Sequence, residues 1–532
     1  IRVSAQELGA KVIGEGANLG MTQRGRLEFA ARGGRLNTDF IDNSAGVNTS
    51  DQEVNIKVAL GPAMRLGRLT VLARNALLVE MTEDVAAASL RNNYQQSLAL
   101  SLAEQRSVRD LPDYPLLMRS LESRGLLDRP LEALPSDDEL AERARAGRGL
   151  KRPELAVLLS YAKIALSNDL LASDVPDEPM LESWLSAYFP ERLRTRFAGD
   201  IKKHILRREI IATGLTNAIV NRGGPVMALQ MTDETGHGKA DVAHAFMAGR
   251  EVFELAPLWQ RIDALDGRIA GEAQLSLYQA TQELVRAQTL WFLHDGKAIG
   301  DLAGAVVRHG EGLAALKPAI DSVLPPRLRS QVEEAEAGFV AGGVPADLAA
   351  DIARLDVLGF APAIAEIAAA ARHPILRVAR IFFEVGEHFR IRDLAAEAAA
   401  IGALDTYDRL AIGHAVNQLA AAQAAFTRDA IGSESGPGAI GGAIGGSIGG
   451  SIEAWLVRFG ARLRRVEATL DAVLSGRPLT IAQLSVAAGQ LSELAGTAAP
   501  AASASTGRQA GPARSASSGS PPARKPSRQP RS

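Results

Sequence analysis

Lys11-Val12-Ile13-Gly14-Glu15-Gly16-Ala17-Asn18-Leu19-Gly20 is a short apolar run that ends in glycine and passes into a polar, glycine-containing loop. Such a run suits a buried strand. Thr22 can cap a helix running to about Arg32, and Gly33-Gly34 can end it. Leu36 to Ile41 then reads as a second short strand or extended segment. A further polar loop, Asp42-Asn43-Ser44-Ala45-Gly46-Val47, leads to a new helix near Ser50. Strand, loop, helix, strand, loop, helix is the rhythm of a doubly wound α/β sheet.

Beyond about residue 50 the pattern is helical as far as 430. Ile201, Ile205, Ala212, Leu215 and Ile219 recur at three- and four-residue steps and mark one helical face. Pro153 begins a segment striped by Leu155, Leu158, Leu159, Ala162 and Leu166, and proline suits a first helical turn. Residues 431–452 hold a four-residue repeat, Ala439-Ile440-Gly441-Gly442 and its two successors, whose glycine content predicts a flexible linker. Two more helices are expected over 453–495. From 496 to 532 the chain is rich in Ala, Ser, Pro and Arg. It carries Arg508, Arg514, Arg524, Lys525, Arg528 and Arg531 with no acid after Glu493, so a disordered basic tail is expected.

Composition narrows the possibilities. Over 532 residues, 46% hydrophobic content allows a sizeable core, and a net charge of −2 argues against a nucleic-acid binder or membrane-surface protein. No cysteine is present, which excludes disulfides, thiolate metal sites and cysteine nucleophiles. No apolar run approaches the roughly 20 residues needed to span a bilayer, and no signal-peptide core follows Ile1-Arg2-Val3-Ser4. The expectation is a soluble cytoplasmic protein. Because the chain begins with Ile1 rather than Met, it is expected to be a fragment or a processed product. The eight histidines form neither HxxxH nor HExxH, so no metal site is expected; His204, beside Ile201 and Ile205, reads as structural. Asp137-Asp138-Glu139 and the acids from Asp174 to Glu178 read as solvated helix starts.

Chemistry concentrates where strands hand over to helices. In open α/β sheets that is where ligands bind, and helix N-termini there favour anions. The amides of Asn18 and Asn43 can both donate and accept, as a ribose hydroxyl or a nicotinamide carboxamide requires, and Ser50 can donate to a carboxylate. Spacing alone leaves a simpler alternative standing: both asparagines are turn residues, and Ser50 is a helix cap. In a doubly wound sheet, Asn18 and Asn43 would open onto one cleft with Ser50 close behind.

The run from Lys11 through Gly20-Met21-Thr22-Gln23-Arg24-Gly25-Arg26 resembles the large bacterial NAD-dependent glutamate dehydrogenases. So does Asp42-Asn43-Ser44-Ala45-Gly46-Val47-Asn48-Thr49-Ser50-Asp51-Gln52-Glu53-Val54-Asn55-Ile56-Lys57. Arg152-Pro153-Glu154-Leu155-Ala156, Arg208-Glu209-Ile210-Ile211-Ala212-Thr213 and Asn221-Arg222-Gly223-Gly224-Pro225 add to the match, which covers about residues 1–430 and the helices at 453–494. The resemblance implies that Glu15, Gly16, Ala17 and Asn18 contact the dinucleotide, with Asn43 near its nicotinamide end. It also implies that Ser50, with Gly46 and the backbone near Val47, holds the side-chain carboxylate of glutamate. No Gly-x-Gly-x-x-Gly follows an early strand, and none of Lys11, Lys57, Lys151 or Lys163 lies in a motif matching the family's catalytic lysines. No catalytic residue is therefore assigned.

The fold expected is mostly α. An N-terminal remnant of a doubly wound α/β, Rossmann-type dinucleotide domain (1–100, the C-terminal part of a catalytic domain) would precede a large helical region (101–430), the linker, the helical pair and the tail. The resemblance implies an enzyme oxidising L-glutamate to 2-oxoglutarate and ammonia with NAD, acting as a homo-oligomer with neither membrane nor nucleic acid as partner. By itself the chain is expected to be inactive. The rival reading is a helical oligomerisation or interaction module without catalytic activity.

Overall fold

A computed structural model describes residues 3–403, 405–434, 449–476 and 478–498. Its sheet is small: β1 (Val12–Ile13) pairs in parallel with β2 (Arg35–Leu36), Val12 opposite Arg35 and Ile13 opposite Leu36. Parallel neighbours need a crossover, and α1 (Gln23–Ala31) supplies it. The Thr22 hydroxyl accepts from the Gly25 N–H at 3.1 Å, and Gly33 at φ +86° ends the helix, as the sequence predicts. Gly34 is a close approach, since a Cβ there would lie 2.2 Å from the Phe29 ring. Ala5, Phe29 and Leu36 form a small core of their own under this unit.

Two expectations about the following segment are corrected. Of the strand or extended segment expected from Leu36 to Ile41, only Leu36 pairs in the sheet and the backbone is still extended at Thr38 (φ −121°, ψ 162°); from Asp39 it turns into the helical turn α2 (Asp39–Asp42). Likewise Ser44 to Val47 is not loop. The long helix α3 (Ser44–Arg65) begins at Ser44, and Ser50 sits in its second turn rather than at its cap. One internal glycine, Gly46, costs a helix only about 1 kcal/mol, and the packing of α3 against neighbouring helices outweighs it.

The remainder of the described chain is helical. After α4 (Val71–Glu80) and α5 (Thr82–Arg106), which runs along α3, come α6 (Tyr114–Ser123), α7 (Asp137–Arg145) and α8 (Arg152–Leu171). The Asp137 acids do begin a helix, closed by a Ser136–Glu139 capping box. A continuous helix through Ile201 and Ile219 does not form. Helices cover Ala198–Lys202 and Arg207–Gly223, and Ile205 between them is exposed. The buried His204 breaks the run: its Nδ1 accepts the Leu206 N–H at 3.1 Å, and its Nε2 lies 3.1 Å from the Asn55 carbonyl. Further helices follow to Thr406–Glu434, and after them Gly449–Val457, Ala461–Ser475 and Ile481–Ala498. Most of the repeat in the expected linker, and the tail beyond 498, lie outside the described residues. One apolar core runs from Ile41 to Ala495. Among the described residues no helix is long and apolar enough to cross a membrane.

Candidate functional site at the head of helix α3

The loop after β1 and the turn α2 are tied together by charge. Arg26, pointing inward from α1, donates from Nε to Glu15 Oε2 at 2.6 Å and from Nη2 to Glu15 Oε1 at 2.9 Å. The same Nη2 lies 3.0 Å from Asp39 Oδ1. All three side chains are at most 10% exposed. Burial alone would push the Asp39 carboxyl up, but the Leu19 N–H and the Arg26 guanidinium hold it below the usual carboxylate range. The Met21 N–H donates to Glu15 Oε1, and the Glu15 N–H to Asp42 Oδ2, fastening the loop at both ends. Leu19, exposed at φ +59°, marks the loop's sharpest bend.

Within this frame the two sequence-predicted asparagines meet. Asn43 Nδ2 donates to Asn18 Oδ1 at 2.8 Å. Gly46 makes room for the pair, because a Cβ there would stand 3.1 Å from Asn43 Oδ1. Both asparagines line a cleft of about 930 Å³, together with Val47, Asn48 and Asp51 of α3. Its far wall comes from α8, where the Tyr161 hydroxyl donates to Glu132 Oε1 at 2.7 Å. Burial and that carboxylate push the Tyr161 phenol up to about 12, so it is a neutral donor at pH 7. A second cavity of about 770 Å³ shares Asn48 and Asp51 with the first.

The other predicted residues are placed differently. Glu15 faces inward and is consumed by Arg26, while Gly16 and Ala17 are exposed on the loop. Ser50 is exposed and back-bonds to the Gly46 carbonyl at 3.5 Å; it is not among the residues lining the cleft. Sequence reasoning missed Arg26, Asp39, Tyr161 and Asn93, whose Nδ2 holds the Ile41 carbonyl at 2.8 Å and Ser44 Oγ at 3.0 Å. A charge three residues from Phe29 on the inner face of α1 was the available signal for Arg26.

The parallel strand–helix–strand unit thus carries two loops that open on a polar cleft at the head of a long helix. Residues 147–493 match the family model described as glutamate dehydrogenase, C-terminal, and residues 1–103 match that of the bacterial NAD-glutamate dehydrogenase catalytic domain. The chain belongs to the bacterial NAD-glutamate dehydrogenase family. It is 38% identical to the NAD-specific glutamate dehydrogenase of Halomonas elongata over 82% of its own length and 27% of that protein's. With the protein of the same name from Pseudomonas aeruginosa the figures are 42%, 73% and 24%, and with that from Mycobacterium tuberculosis 37%, 66% and 21%. The chain thus spans about a quarter of the length of these relatives.

Proposed function

We propose that this chain supplies one wall of the nicotinamide and substrate pocket of an NAD-dependent glutamate dehydrogenase, which oxidises L-glutamate to 2-oxoglutarate and releases ammonia. The observation that carries this reading is the Asn18–Asn43 hydrogen bond at the mouth of the cleft, joining two loops 25 residues apart in sequence. The cleft's volume lies within the range of small-molecule sites. NAD, when bound, accepts the hydride. The chain's own residues orient and enclose it: Asn18 and Asn43 offer donors and acceptors to ribose and carboxamide, and the Glu15–Arg26–Asp39 network holds both loops in register. Gly16 and Ala17 let the loop backbone come close to the dinucleotide. Val47, in the first turn of α3, lines the cleft where the substrate's side-chain carboxylate would enter; Gly46 beside it leaves room for that approach, and Ser50, one turn further on, would turn its hydroxyl from the Gly46 carbonyl to reach it.

The β1–α1–β2 unit supports reading the first 100 residues as part of a doubly wound dinucleotide domain. Two paired residues per strand are too few to stand as a sheet alone, and Val12 is 68% exposed, as at a strand awaiting cover. The long helical region from 101 onward would brace this edge and pack against the catalytic core and neighbouring subunits, in a homo-oligomer working in the cytoplasm. By itself the chain should show no glutamate-dependent NAD reduction, since no Gly-x-Gly-x-x-Gly turn follows β1. Steady-state kinetics of the complete enzyme test the assignment. Asn18→Ala and Asn43→Ala should raise the KM for NAD. Ser50→Ala should weaken glutamate use by about 1.5–3 kcal/mol, the value of a hydrogen bond to a charged group. Unchanged NAD constants in both asparagine variants would leave the helical-module reading in its place.

A further inference from the structure

Three helices that contribute nothing to the cleft lining converge on an unusual trio. Asp295 ends the helix Gly271–Asp295, His309 lies mid-way along Leu302–Leu316, and Glu366 lies on Ala361–Ala371. One ligand atom from each stands within 4.8 Å of the others. His309 is completely buried, its ring edge-on to Trp291 and Phe292 at 5.1 and 5.3 Å. Neither ring nitrogen has a hydrogen-bond partner among the described residues, and neither has Asp295 Oδ2. Glu366 Oε1 stands 3.7 Å from Nε2, beyond hydrogen-bond reach. Buried histidines are ordinarily hydrogen-bonded, and an orphaned pair of ring nitrogens calls for an explanation.

The charges around it point to a cation. Lys297 pairs with Asp295, Nζ to Oδ1 at 3.2 Å, and with Glu366, while Arg308 Nε lies 3.9 Å from Glu366 Oε1. The Lys297 ammonium therefore neutralises the two carboxylates that a metal would use. Its side chain, 46% exposed, can swing into solvent at little cost.

We propose that Asp295, His309 and Glu366 form a binding site for one divalent transition-metal ion of the zinc class, which replaces the Lys297 ammonium and pins the three helices together. One imidazole and two carboxylates make a donor set for zinc and its neighbours rather than for magnesium or calcium, which prefer all-oxygen shells. Metal–ligand bonds of about 2.0–2.2 Å bring tetrahedral donors to roughly 3.3–3.5 Å apart, so the side chains close by about an ångström. Three protein ligands leave a fourth position for water, reached from the partly exposed carboxylate side.

Equilibrium dialysis of the full chain against zinc chloride tests this, alongside thermal unfolding and tryptophan fluorescence under cobalt. The wild type should bind one zinc at this site and melt at higher temperature with it. Cobalt should quench Trp291, and the quenching should disappear in Trp291→Phe. His309→Gln and Glu366→Gln should each weaken binding on the order of tenfold or more. Lys297→Met, which removes the competing ammonium, should tighten it, a response that a purely structural trio would not give. Should His309→Gln fail to fold, Glu366→Gln, whose side chain is 29% exposed, carries the same test. Zinc affinity unchanged in the folded ligand variants, or no stoichiometric zinc in wild type and Lys297→Met alike, would overturn the proposal.

Discussion

Arg26 meets Glu15 and Asp39 in a place where little of any of the three side chains reaches water. An isolated buried charge is expensive, whereas a paired and hydrogen-bonded one is tolerated. Arg26→Ala would strand two carboxylates beneath the loop that carries Asn18. We expect a loss of about 3–5 kcal/mol, the usual cost of breaking a buried pair by removing one partner, read from urea denaturation of the full chain. Faster proteolysis between residues 14 and 22 should accompany it, because Glu15 also fastens the Met21 N–H. A loss below 1 kcal/mol would mean that water replaces the guanidinium freely. Gly46→Ala offers a finer test of the same frame. The new methyl would press on Asn43 Oδ1, so the Asn18–Asn43 bond should loosen with little change in global stability. In the complete enzyme that variant should mimic Asn43→Ala in its NAD dependence.

Elements were legible in the sequence where local signals agreed. Thr22 and Gly33 announced both ends of α1, and the acids from Asp137 announced the start of α7. Reading failed where a long-range contact decided the outcome. Asp42 to Val47 looks like a loop, yet Ser44 begins α3, and the Asn43 amide spends itself on Asn18 instead of capping. The apolar stripe through Ile201 and Ile219 looks continuous, and only the capture of the His204 ring by Asn55 and Leu206 breaks it. In the site, the asparagines were visible because their residue type names their chemistry. Arg26 and Asp39 were not, since a charge is read as solvated until its partner is seen. The motif residues Arg152 and Arg208 are likewise anchors in the structure: Arg152 Nε donates to Asn37 Oδ1 at 2.6 Å, and Arg208 Nη2 to the Leu171 and Ser173 carbonyls. The helix Thr406–Glu434 docks by the same device. Arg409 Nε donates to Asp113 Oδ1 at 2.6 Å, and Gln230 Nε2 holds Asp113 Oδ2 at 2.5 Å. Burial keeps the Asp113 carboxyl above its ordinary pKa even against Arg409. Removing Arg409 would raise it further, so Asp113 would take up a proton more readily in the folded state. Stability of Arg409→Ala should therefore be lost as pH rises and regained as it falls. Denaturation at pH 7.5 and 4.5 should show a defect of about 3–5 kcal/mol at the higher pH and a smaller one at the lower. An equal defect at both would show that packing, not charge, is what Arg409 supplies.

At the scale of the whole molecule, the pH dependence of folding should carry the mark of one lysine. Lys163 lies on α8, the helix that packs against α1, α5 and the helix Arg207–Gly223 and so ties the first 100 residues to the rest. Its Nζ is buried with no hydrogen-bond partner among the described residues, and burial lowers its pKa to about 7. In the unfolded chain the same amine titrates near its ordinary value of about 10.4. Between these limits the unfolded state binds a proton that the folded state refuses, so this residue makes stability rise with pH from about 7 to about 10 and contributes no slope below. At neutral pH it costs the fold on the order of a few kcal/mol, since each unit of displacement is worth about 1.36 kcal/mol. Lys163→Met keeps the length and apolar stem of the side chain while deleting the charge. The variant should unfold at higher temperature than the wild type at pH 7.5, and the gap should narrow steadily as pH approaches 10, where both amines are neutral. Other lysines and tyrosines titrate in the same range, but they are common to both proteins and cancel in the difference. Thermal denaturation across that range decides the matter: a gap independent of pH would place the gain in packing, and no gap would mean that the ammonium reaches water through a motion of α8.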